Sequence, residues 1–108
     1  MSKPRVKTEE EIREKFLSHV RSLINYWDRV DGKDAPKTQK DRLAGLAFSI
    51  LVTLDGEAAD LPGFIVAPNP HPDDKEYHIS EGSNYYPENH KLKVKGDIAG
   101  CLHELLKM

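Results

Sequence analysis

A chain of 108 residues has room for one hydrophobic core and is too short for two. Its 16 basic side chains stand against 18 acidic ones, a net charge of -2 with histidines neutral, without the basic excess a general nucleic-acid binder needs. The single cysteine, Cys101, excludes an internal disulfide and suits a reducing compartment.

The opening "MSKPRVKTEEE" has no apolar stretch of the kind a secretory signal needs. The longest apolar run, Leu43 to Leu54, falls short of the roughly 20 residues that span a bilayer. A soluble, cytoplasmic chain with no membrane partner is the expectation. Residues 1–7 read as a flexible arm, with Pro4 blocking early helix and only Val6 to anchor it.

A first helix starts after Thr8. Thr8 and Glu11 have the spacing of a capping box, and Glu9 to Glu11 place negative charge at the positive end of the helix dipole. Ile12, Phe16, Leu17, Val20, Leu23, Ile24, Trp27 and Val30 then recur at helical spacing over an arc of roughly 140°. Arg13 interrupts that arc and is expected to reach out to solvent along its stem. Gly32 and Pro36 close the helix.

A second helix is expected from Gln39 to Leu54, with Thr38 as cap and Asp41 as its box partner. Its apolar residues cover roughly 240°, leaving Arg42, Gly45, Ser49 and Thr53 as a narrow polar or small strip. Such a helix is expected at the centre of the fold, covered on several sides. That breadth also suggests self-association as a homodimer.

After the turn signals Asp55-Gly56 and Pro62-Gly63 come three candidate strands, Phe64–Ala67, Glu76–Ser80 and Lys91–Lys95. In the last, Leu92 and Val94 are expected inward, with Lys91, Lys93 and Lys95 outward as edge protection. A final helix from Ile98 to about Lys107, capped by Asp97, would bury Cys101 as an inert core thiol and leave His103 at the polar margin. The fold expected over 8–108 is a single α+β domain. It comprises two long N-terminal helices forming a helical hairpin, a small antiparallel three-stranded meander and a C-terminal helix.

Two stretches carry candidate chemistry. The first, "NPHPDDKEYH", sets His71 and His78 around Asp73, Asp74 and Glu76. Its His71-Pro72-Asp73-Asp74 resembles the zinc-binding signature of the N-acetylglucosaminyl deacetylase family. That resemblance implies His71 and Asp74 as zinc ligands and Asp73 as the base on metal-bound water. The similarity covers four or five residues, Lys75 stands where that family has an acid, and neither His78, His90 nor His103 has the context of its remote third ligand. Membership is therefore not inferred. Independently of the family, His71, Asp74, His78 and His90 could furnish a metal constellation, whereas a hairpin tip would select the same Pro, Asn and Asp for backbone reasons.

The second, "SEGSNYYPENH", sets Tyr85 and Tyr86 beside Asn84 among small and acidic neighbours, the composition of adaptable recognition loops. The favoured reading is a small, non-catalytic protein-interaction domain of bacterial or phage type. It would bind an unknown protein partner through the loop face around residues 69–90, with Tyr77, Asn84, Tyr85 and Tyr86 as contacts. The alternative is a zinc-dependent hydrolase built on the HPDD segment. A third reading is weak nucleic-acid contact through Lys91, Lys93 and Lys95 with the basic arm.

Overall fold

The computed structural model describes residues 3–108, and Met1 and Ser2, part of the expected arm, lie outside the described residues. Four helices follow in order: α1 (Glu9–Arg29), α2 (Gln39–Leu54), α3 (Asp74–Ser80) and α4 (Leu102–Leu105). The chain divides into two units. One holds the described residues up to Phe64 together with Gly96–Met108, and the other is Ile65–Lys95.

Both halves of the α1 capping box form. The Glu11 N–H donates to Thr8 Oγ1 at 3.1 Å, and the Thr8 N–H donates to Glu11 Oε1 at 3.0 Å. Arg5 reaches the same carboxylate at 2.7 Å, so the arm is tied to the first turn of the helix. The Arg5 hydrogen bond and the Thr8 backbone donor together hold the Glu11 carboxyl down to about 2. At the other end of α1, Val30 N–H donates to Tyr26 O at 2.8 Å.

The apolar arc of α1 faces inward as its spacing predicts. Phe16, Leu17 and Val20 are buried, and Leu61 and Ile98 complete the core. Ile12, Ile24, Ile50, Leu54, Phe64, Leu102 and others pack around them. Each fully buried side chain of this kind stabilises the fold by about 1.5–3 kcal/mol, so most of the stability gathers along α1. Arg13 does not reach out to solvent. Its Nε donates to Ile98 O at 3.2 Å and ties the C-terminal segment to α1. Arg21 does the same at Lys107 O, at 2.9 Å.

The largest departure from expectation is in α2, which packs on α1 through its narrow strip and leaves much of its apolar arc uncovered. Thr53 is the most buried side chain described, at 2% exposure. Its hydroxyl donates to Ser49 O at 2.8 Å and lies 3.1 Å from His19 Nε2. With the hydroxyl proton so used, the imidazole is the donor in that pair. Trp27 Nε1 donates to Ser49 Oγ at 3.0 Å. Gly45 leaves room for the Trp27 ring, which would lie 2.5 Å from a Cβ placed there. Arg42 donates to Trp27 O at 2.8 Å and Val30 O at 2.7 Å, supplying the last carbonyls of α1 with partners. The contacts run from Arg42 near Trp27 to Thr53 near His19, so α1 and α2 are antiparallel.

Each polar side chain on the strip, Arg42, Ser49 and Thr53, has a partner, which offsets the cost of burying it. Only the flank of the apolar arc with Ile50 and Leu54 packs on the core, and the rest is left outside. Leu43, Phe48 and Leu51 are exposed at 57%, 68% and 60%. The helix is therefore not the covered centre of the fold but one wall of a two-helix layer. Its cap is also simpler than expected: Thr38 Oγ1 accepts from Asp41 N–H at 3.1 Å, and no return bond from the shorter Asp41 side chain is seen.

The α+β expectation is corrected, because no β-strand occurs among the described residues. Phe64 instead turns its ring edge-on to Phe16, with centroids 5.3 Å apart, while Ile65 and Val66 are exposed. Pro68, Pro70 and Pro72 follow and cannot donate to a ladder. Glu76–Ser80 lies in α3, where Asp74 and Glu76 suit a first helical turn and Gly82, at φ 69°, ends the segment. Lys91–Lys95 runs without regular structure, and Leu92 and Val94 are exposed rather than inward.

The C-terminal helix is shorter than expected. Asp97 Oδ1 accepts from Ala99 N–H at 3.0 Å in a local turn, and Gly100 adopts φ 123°. Helix resumes only at Leu102, so Cys101 is exposed instead of buried. No helix among the described residues is long and apolar enough to cross a membrane.

Candidate interaction surface

The unit Ile65–Lys95 is built by local interactions. At its start His71 O accepts from Asp74 N–H at 3.0 Å, and Asp74 Oδ2 accepts from His71 N–H at 3.1 Å. His71 Nδ1 accepts from Asp73 N–H at 3.2 Å. The HPDD segment is thus a self-bonded turn leading into α3, with its imidazole nitrogen engaged by its own backbone. The His71 and Asp73 side chains are exposed.

From α3, Lys75 organises the loop that follows. Its ammonium lies 3.2 Å from Glu88 Oε1 and 5.3 Å from the centre of the Tyr85 ring. Hydrogen bonding to Glu88, and then the Glu88 charge, raise the Lys75 ammonium above its ordinary range. The cation over the ring restrains Tyr85 without covering it. Asn89 Nδ2 donates to Pro68 O at 2.8 Å and holds the two ends of the unit together.

The named residues fall in different places. Tyr77 stands on α3, edge-on to His78 at 5.5 Å, and is exposed. Tyr85 and Tyr86 are exposed in the loop, as is Asn84. His78 Nδ1 pairs with Ser83 Oγ at 3.1 Å. His90 Nε2 lies 3.9 Å from Glu88 Oε2, while its Nδ1 is buried without a partner. Among the described residues, no three side chains of His, Cys, Asp or Glu come together as a group able to hold a metal ion. The histidines considered as zinc ligands, His71, His78 and His90, are each engaged with a different neighbour.

Sequence reasoning missed the wider apolar surface of this unit. Ile65, Val66, Ile79, Leu92 and Val94 join the three tyrosines as exposed large side chains. None of the buried residues belongs to Ile65–Lys95, so the unit has no core of its own. Alternation had placed Leu92 and Val94 inward, and only the absence of a sheet partner returns them to the surface. The Lys75 to Tyr85 contact joins positions in different local structures and leaves no periodic trace. Comparison with family models, curated proteins and solved structures finds no match to this chain.

Proposed function

We propose that this chain is a non-catalytic protein-interaction domain whose recognition surface is the segment around residues 69–90. The observation that carries the reading is a segment of roughly thirty residues with no buried side chain and a series of exposed tyrosines and aliphatic residues. A segment this short cannot form a core unaided, and its apolar surface gains stability only when a partner covers it. Tyr77, Tyr85 and Tyr86 would supply large, stiff contact area at low entropic cost, with Asn84 adding adaptable hydrogen bonding. The Lys75 bridge to Glu88 pre-positions Tyr85, which reduces the ordering cost of binding.

The partner this chemistry fits is a protein with an apolar groove edged by acceptors for tyrosine hydroxyls. We place the interaction in the cytoplasm, where the exposed thiol of Cys101 stays reduced.

The test is capture of a specific partner from the native host by the full chain, compared with Tyr85→Ala/Tyr86→Ala. Hydrogen exchange of the captured complex should protect amides within 69–90. Loss of capture in the double variant, with an unchanged helical circular dichroism spectrum, supports the proposal. Capture that survives the double variant, or protection confined to other residues, refutes it.

A further inference from the structure

We infer that the outer face of α2 is the contact surface for a second copy of this chain, with the two α2 helices packed antiparallel about a two-fold axis. Ala44, Ala47, Phe48 and Leu51 are exposed along one side of α2, opposite the strip that packs on α1. The same stripe begins at Lys40 and ends at Asp55, both exposed and neither in a salt bridge among the described residues.

The order of these residues selects the partner. With the two-fold axis between Ala47 and Phe48, Ala47 faces Phe48 of the other copy and Ala44 faces its Leu51. In that same register Lys40 faces Asp55. Small meets large at two levels and cation meets anion at both ends, each pairing made twice by symmetry. A parallel pair would set Lys40 against Lys40, Asp55 against Asp55 and Phe48 against Phe48, with like charges opposed at both ends.

The alanines let helix axes approach to the short end of the usual 8–10 Å, where the aromatic ring can seat. Together with Leu43, the stripe leaves roughly 300–400 Å² of apolar side chain open per chain, the size at which a patch on a monomer marks an interaction site. Doubled by symmetry it provides most of the roughly 1,000 Å² a specific interface needs, which suits a dimer with a dissociation constant on the order of 10 μM.

Sedimentation equilibrium of the full chain across about 1–200 μM tests this, the range being set by that affinity. A monomer–dimer equilibrium is expected for wild type. Phe48→Asp, at an exposed position that leaves the α1 contact intact, should weaken it at least 100-fold while the helical spectrum is preserved. Lys40→Asp should weaken it about 10-fold, since it opposes like charges at both ends. Lys40→Asp/Asp55→Lys should restore it, because the swapped charges meet again only in the antiparallel register.

A chain that stays monomeric throughout, including one whose α2 is shielded from exchange by another segment of itself or captured by a foreign protein, overturns the inference. So does a dimer indifferent to Phe48→Asp, or a charge swap that fails to restore association.

Discussion

Replacing Gly45 with alanine sets two effects of opposite sign against each other. In an isolated helix the change is favourable by about 1 kcal/mol, because glycine is a poor helix former. Here the new methyl would lie 2.5–2.7 Å from three ring atoms of Trp27. The indole cannot simply withdraw, since its N–H is bonded to Ser49 Oγ at 3.0 Å on the same helix. Overpacking of this kind costs about 1–3 kcal/mol, and breaking the indole bond adds about 1 kcal/mol. The net expectation is destabilisation by about 1–3 kcal/mol, against a total that is small for a domain of this size.

Trp27 is the only tryptophan, so its emission follows this contact directly during urea unfolding. Gly45→Ala should lower the midpoint at unchanged slope and shift native emission to the red. Work at low protein concentration keeps any dimer from contributing. A variant that is more stable than wild type, with unchanged emission, would show that the ring does not lie over Gly45 and would refute the packing of α2 described above.

Other outcomes follow from the same geometry. Arg42→Ala removes the donors to Trp27 O and Val30 O, and about 1.5–3 kcal/mol should be lost in urea denaturation, with Arg42→Lys unable to restore both bonds. Thr53→Val keeps the shape but strands the half-buried His19 ring, costing about 1–2 kcal/mol by the same assay; a neutral result would mean the His19 contact contributes nothing. Glu11 has its folded-state pKa lowered from 4.5 to about 2, so its contribution to stability is present above 4.5 and is lost as pH falls through 2. Arg5→Ala should move the Glu11 carboxyl midpoint upward in an NMR titration, and an unmoved midpoint would rule out the Arg5 contact in solution.

The two long helices were legible because their signals are long and redundant. Thr8 with Glu11 and eight apolar residues over the 19 positions from Ile12 to Val30 leave little choice for α1. The expected strands were five residues or fewer, and a window that short cannot separate a period of 2 from a single helical turn. Glu76–Ser80 is the instructive case: Tyr77 and Ile79 alternate on paper, yet the acids before them and Gly82 after them set a short helix. The C-terminal helix is shorter than its apolar spacing suggests because Gly100, at φ 123°, interrupts the segment before Leu102.

The orientation of α2 was misread for a different reason. The width of its apolar arc suggests cover on several sides, whereas the narrow strip is the packed side because its polar side chains have partners. A cue was present. His19 and Trp27 need hydrogen-bond partners on the face α1 turns to α2, and the strip of α2 offers hydroxyls at Thr53 and Ser49. Of the candidate contacts, the tyrosine pair was readable from composition. The Lys75 clamp on Tyr85 was not, because it depends on how the loop folds back.

The anchoring of Phe64 and Gly96 carries one more consequence. Phe64 rests against Phe16, and Gly96 lies beside Ile12, one turn earlier on α1. The chain thus leaves and re-enters the helical hub at neighbouring points on a single rod. Doubling the excursion between those points would add only about 0.6 kcal/mol of closure entropy. Natural variation can therefore lengthen, trim or exchange that excursion while the hub keeps its register.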